Sequence, residues 1–254
     1  MIRRIPAIAA LCIVTAHGQI AFNGNYTENF DSMTPTGTDY VPGWTGIRYA
    51  GSGALGLTLA PGVSTGTSTG GGIYNVGAAG DTDRALGSLS SASTVPRFGA
   101  GFINASGATY TELTLSGVME QWRSGSSATA NETLPFEFSL NATGINDETA
   151  TWTAAPGFDL LEKLVTTTSA AAVDGNLADN QTPINVTLSD LNWQDGQVLT
   201  FRWTDRDDTG SDGMYALDNF SLAGVTTPVP EPAAWGLLLV GTVVVAWLRR
   251  KDRE

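Results

Sequence analysis

The chain has 254 residues, with 25 acidic side chains against 13 basic ones and a formal charge of −12. A surface with that balance offers no basic patch to neutralise phosphates, which excludes nucleic acid as a partner and argues against anionic lipid headgroups. Glycine, serine and threonine are abundant, but seven tryptophans and many alternating apolar residues mark a folded domain and not a disordered stalk.

The first 18 residues read as a secretory signal peptide. Arg3 and Arg4 form its charged start, residues 5–16 its apolar stretch, and Ala16-His17-Gly18 a small-residue cleavage site before Gln19. Signal peptidase is therefore an expected partner. Cys12 is not a lipidation site, because Leu11 stands where a small residue is needed. Cleavage removes the chain's one cysteine and its one histidine, His17. The exported body then has no thiol nucleophile, imidazole base, disulfide or His/Cys metal ligand. Serine–histidine and cysteine–histidine hydrolases are excluded, and any metal is a hard one held by oxygens.

Residues 19–223 are predicted to form one all-β domain, long enough for a substantial core. Short strand patterns separated by turn signals follow one another. They begin at 27–33 and continue, after a turn-rich stretch from Pro35 to Gly46, at 55–59, 72–76, 84–89 and 97–103. A long run at 110–122 comes next, then 134–140, where Pro135 marks an edge or a strand start. A short piece at 151–153 and a stretch at 158–165, ambiguous between strand and helical turn, lead to 184–188, 198–203 and 214–222. No stretch before residue 233 sustains a helical period. The expected fold is a two-sheet β-sandwich. A short linker, 224–228, is expected to close the domain.

Three groups of side chains could carry chemistry. Asp205, Asp207, Asp208 and Asp212 cluster in a glycine-containing turn whose spacing is not that of an EF-hand. It reads either as a solvated hairpin loop or as a cation site, because carboxylates so close repel one another unless bridged. Among the aromatic residues, Trp122 and Trp203 sit in alternating strands and read as core, while Trp44 follows Pro42-Gly43 and is the candidate exposed platform for a ligand. Glu112, Glu120, Glu132 and Glu137 could supply the paired carboxylates of a glycosidase, but nothing in their spacing selects a pair. The expectation is that the protein is not an enzyme.

The C-terminus has three parts: Val229-Pro230-Glu231-Pro232, an uncharged apolar stretch at 233–248, and the basic stop Arg249-Arg250-Lys251. As a helix at 1.5 Å per residue the apolar stretch spans about 24 Å, slightly short of a ~30 Å hydrocarbon core. The basic residues place its end on the cytoplasmic side. This arrangement resembles the PEP-CTERM sorting signal of bacterial envelope proteins. The resemblance implies recognition by an exosortase, a membrane protease-transpeptidase, with membrane anchoring before processing and the cell surface or extracellular matrix after it.

The two ends of the body, Glu28-Asn29-Phe30-Asp31 and Leu217-Asp218-Asn219-Phe220, resemble those of jelly-roll carbohydrate-binding modules, and the second is similar to the last strand of MAM domains. The first resemblance implies a jelly-roll-like sandwich with a structural calcium held by Glu28, Asp31 and Asp218; no other cofactor is expected. The body also looks like a domain recurrent in exported PEP-CTERM proteins, which implies no activity. The expected function is that of an exported cell-envelope protein, structural or associated with exopolysaccharide. The alternatives are a non-catalytic carbohydrate-binding module and a carboxylate-dependent glycoside hydrolase.

Overall fold

The computed structural model describes residues 18–126, 132–165 and 169–226. The strands of the first half are β1 (Ile20–Phe22), β2 (Asn25–Glu28), β3 (Trp44–Ala50), β4 (Gly62–Ser64), β5 (Gly72–Val76), β6 (Ala85–Leu89), β7 (Val95–Asn104) and β8 (Tyr110–Ser124). Those of the second are β9 (Thr133–Leu134), β10 (Phe136–Ser139), β11 (Thr153–Ala154), β12 (Leu160–Leu161), β13 (Ala171–Ala172), β14 (Gln181–Leu188), β15 (Val198–Thr204) and β16 (Met214–Thr226). Short 3-10 turns at Asp31–Met33, Pro156–Phe158 and Ala178–Asn180 are the helical elements among the described residues.

The all-β, two-sheet sandwich expected from the sequence is what forms. One sheet runs β1-β7-β15-β10-β11, with β3 also on β7; the other runs β13-β8-β16-β6-β5-β4, with β14 on β8 and β2 on β16. Alternation explains the two faces. Along β15, Leu199, Phe201 and Trp203 join the core, while Thr200, Arg202 and Thr204 face the other way. Pro135 falls between β9 and β10, since a residue with no N–H cannot continue the ladder.

The core between the sheets is aromatic. Trp203 stacks on Phe98 at 5.4 Å and on Trp44 at 6.2 Å, and Phe136, Phe158 and Phe220 close around them. Burying an indole leaves an N–H to satisfy. Trp203 donates to the Phe158 carbonyl at 3.0 Å and Trp193 to the Gln197 carbonyl at 2.8 Å. A second, smaller cluster on the outer face of the larger sheet gathers Val76, Ala85, Leu89, Trp122, Met214 and Ala216.

Several expectations change. The predicted strand at 27–33 stops at Glu28, because Phe30 adopts φ 58 and turns the chain into the 3-10 turn. No strand forms at 55–59, whereas Trp44–Ala50, whose first three residues fall in the expected turn-rich stretch, is β3. β16 runs on to Thr226, so the first three residues of the expected linker 224–228 are sheet, paired with Leu113, Glu112 and Tyr110. Among the described residues no helix is long and apolar enough to cross a membrane. The signal peptide (Gly18 apart), Val229-Pro230-Glu231-Pro232, the stretch 233–248 and Arg249-Arg250-Lys251 lie outside the described residues.

Candidate functional site

A cleft of about 850 Å³ opens where β1, β2 and the approach to β3 meet. Gly43 builds one wall. It sits at φ 85, and a Cβ there would lie 2.2 Å from the Ile20 side chain, so only glycine lets the 38–43 segment come so close to β1. The lining includes Gln19, Tyr26, Glu28, Asp39, Tyr40 and Trp44.

Trp44 is not the exposed platform expected from its place after Pro42-Gly43. It is fully buried, because β3 pairs with β7 opposite Ala100 and turns the indole into the core, against Phe30 at 4.9 Å and Phe220 at 5.4 Å. Its contribution to the cleft is indirect. The indole N–H donates to the Tyr26 hydroxyl at 3.1 Å, and that hydroxyl donates to Glu28 Oε2 at 3.2 Å. Glu28 Oε1 accepts the Phe30 N–H at 2.8 Å. Tyr26 and Tyr40 are half-buried, so each presents part of its ring beside fixed polar groups. Burial dominates the upward shift of both phenols, and both stay neutral donors at physiological pH. Sequence reading singled out neither tyrosine; the approach of the 38–43 segment to β1 and β2 brings the two together.

The chain-end residues Glu28, Asp31 and Asp218 divide between two places. Glu28 belongs to the cleft. Asp31 accepts the Arg84 backbone N–H at 3.0 Å and the Asn29 side-chain amide at 2.6 Å. Asp218 is 3% exposed on the outer face of β16; its Oδ2 accepts the Asn219 amide at 2.6 Å, and its Oδ1 has no hydrogen-bond partner. Burial, with the charges of Asp83 and Asp31, pushes the Asp218 carboxyl up to about 7. Asp83, which the sequence did not single out, adds its charge to the surroundings of Asp218. The cavity lined by Asn219 and Ser221 does not reach Asp218. Among the described residues no three His, Cys, Asp or Glu side chains converge as a metal site. The expected calcium set does not fit as one site.

The acidic turn also divides. Asp205 is buried and accepts the Ser88 hydroxyl at 2.7 Å; burial holds its carboxyl well above the usual range. Asp212 is 7% exposed, accepts the Asp208 N–H at 3.0 Å, and is raised to about 7 by burial foremost. Asp207 and Asp208 are exposed. Glu132 joins them from across the fold. Its Oε2 accepts the Gly213 N–H at 2.7 Å and the Tyr215 hydroxyl at 3.0 Å, and burial raises it to about 7. Glu137 bridges to Arg202 at 2.8 Å, and buried Glu120 accepts from Trp122 and Gln181, both at 2.9 Å.

No protein-family model matches the chain, and no curated protein does. Several solved structures are similar to it, all with TM-scores below 0.5. The K3 cleaved adhesin domain of Lys-gingipain from Porphyromonas gingivalis is 16% identical, with a TM-score of 0.44 over 78% of this chain and 98% of that one. The CBM22-1 xylan-binding domain from Paenibacillus barcinonensis Xyn10C is 13% identical, with a TM-score of 0.36 over 81% and 97%. TmCBM61, solved with β-1,4-galactotriose, is 8% identical, with a TM-score of 0.35 over 78% and 99%. These structural neighbours include carbohydrate-binding modules with a β-sandwich fold. A likeness at these scores transfers no site residue and no ligand.

Proposed function

We propose that the sandwich is a non-catalytic glycan-binding module of jelly-roll type, carried by an exported cell-envelope protein with a PEP-CTERM-like tail. The observation that carries the reading is the cleft of Tyr26, Glu28, Asp39 and Tyr40. Partly exposed aromatic rings beside carboxylates and an amide offer apolar faces for sugar C–H groups and polar atoms for hydroxyls. In this reading a secretory signal peptide directs export, and Val229-Pro230-Glu231-Pro232, the apolar stretch and Arg249-Arg250-Lys251 address the chain to an exosortase. The extracellular polysaccharide is then the partner.

The test is co-sedimentation of the full chain with a panel of insoluble glycans, including the host's own exopolysaccharide. Saturable binding to at least one polymer is expected. It should weaken at least about tenfold in a double variant, Glu28→Gln with Asp39→Ala, that leaves the tyrosine packing in place. Failure to bind any polymer, or binding indifferent to the two substitutions, removes the cleft as the ligand site.

A further inference from the structure

The cleft beside β1 and β2 has a polarity that narrows the choice of sugar. Among its described lining residues, Glu28 and Asp39 are the charged side chains, with no lysine, arginine or histidine to offset them, so its formal charge is −2. Cleavage before Gln19 would add one α-amine at the margin and still leave the cleft negative. The hydrogen bonds point the same way. Three ring donors at the cleft are spent inside the protein: the Trp44 N–H on the Tyr26 hydroxyl at 3.1 Å, the Tyr26 hydroxyl on Glu28 Oε2 at 3.2 Å, and the Tyr40 hydroxyl on the Leu59 carbonyl. Each Glu28 oxygen has one protein donor, and a carboxylate oxygen has room for a second. Asp39 is exposed. The cleft therefore offers a ligand strong acceptors and few donors.

A matching ligand is rich in donors and carries no negative charge. A protonated amine is the extreme case, with several N–H donors, no acceptor and a positive charge. Its hydrogen bonds to a carboxylate are charge-assisted, and so stronger than those of a sugar hydroxyl. The half-buried rings of Tyr26 and Tyr40 add to the attraction, because an aromatic face is the negative end of the ring quadrupole. A uronate meets the reverse: an acceptor-only group set against two carboxylates, with no cation in the lining to hold it.

We infer that the cleft selects a glycan bearing free amino groups over its N-acetylated form and over uronate polymers, with Glu28 the fixed partner of an amine and Asp39 the exposed one. The inference rests on the glycan-binding reading of the same cleft and adds the class of sugar. N-acetylation turns the amine into an uncharged amide with one donor and one acceptor. A single chemical step on the sugar thus separates the favoured ligand from the disfavoured one.

The experiment is calorimetric titration of the full chain at about pH 6 and about 0.15 M salt, where exposed charges are screened beyond roughly 8 Å. The probes are glucosamine, N-acetylglucosamine and galacturonate oligomers of equal length. The glucosamine oligomer is expected to bind at least about tenfold more tightly than the acetylated one, and the galacturonate most weakly. Glu28→Gln with Asp39→Asn should bring the first two affinities together. Asp39→Asn alone changes an exposed side chain, and should lose part of the preference with the melting temperature unchanged. Asp207→Asn with Asp208→Asn removes the same charge from exposed positions outside the cleft, and should keep the preference. Equal affinity for the acetylated oligomer, or tighter binding of the galacturonate, overturns the inference; the glycan reading survives if the cleft variant weakens that binding. A preference that the control lowers as much as the cleft variant also overturns it, since overall acidity would then be the cause. Binding of no oligomer and no polymer removes both readings.

Discussion

Asp218→Asn is expected to stabilise the protein at mildly alkaline pH and to leave it unchanged or weaker at acidic pH. The wild-type carboxyl is raised from 3.8 to about 7 in the folded state, by burial first and by Asp83 and Asp31 in addition. A carboxyl raised by folding keeps its proton after the unfolded chain has lost it. Its penalty is absent below the unfolded value, grows as pH rises from there, and is complete above the folded value. Over that span, at ~1.4 kcal/mol per pH unit, the penalty comes to about 4 kcal/mol. Asp83 titrates in the same cluster and absorbs part of this, so about 2–4 kcal/mol should be seen. Asparagine cannot ionise and so carries no such penalty. The assay is urea unfolding of wild-type and variant chains in chelator, at about pH 4.5 and about pH 8. The wild-type chain should lose that much more stability than the variant between the two. Parallel pH profiles would refute the reasoning, because they would mean that Asp218 is not held as a strained, buried acid.

Two further outcomes are expected. Arg97 and Arg202, whose side chains are 3% and 6% exposed, both donate to Glu148, itself 52% exposed, while stacking on Tyr49 and Trp152. Glu148→Gln should cost about 1–3 kcal/mol in urea unfolding, less than breaking a fully buried pair because the carboxylate is half solvated; no change would mean that the rings and Glu137 hold the arginines unaided. Replacing Pro230, Glu231 and Pro232 with alanine should leave uncut chain in the membrane fraction of a host that processes the wild-type protein. Mass spectrometry showing identical processing would sink the sorting reading.

The fold class was readable because most of its strands obey a two-residue period that burial then explains. β15 and the middle of β8, from Leu113 to Met119, send odd-numbered apolar residues inward, so a local pattern reported a global face. β3 was not readable, because Pro42-Gly43 and the bare Gly46 look like turn chemistry. Pairing with β7 makes a strand of it and carries Trp44 inward. The chain-end carboxylates were misjudged for a backbone reason. A left-handed Phe30 between Glu28 and Asp31 sends their side chains to different sites, and such a conformation in a bulky residue is imposed by its surroundings, not advertised by its sequence. The acidic turn was visible as composition. Its partners Glu132 and Ser88 were not, since only the packing of distant strands brings them to it.

β16 reaches Thr226 while hydrogen-bonded to β8 on one side and to β6 and then β2 on the other. Any pull on the residues that follow is therefore delivered along the axis of an interior strand. Ladder bonds lie across that axis, so the pull loads them in shear, many at once, and not by peeling them one by one. A domain tethered through that strand and holding a polymer in its cleft would transmit tension through its most firmly bonded element.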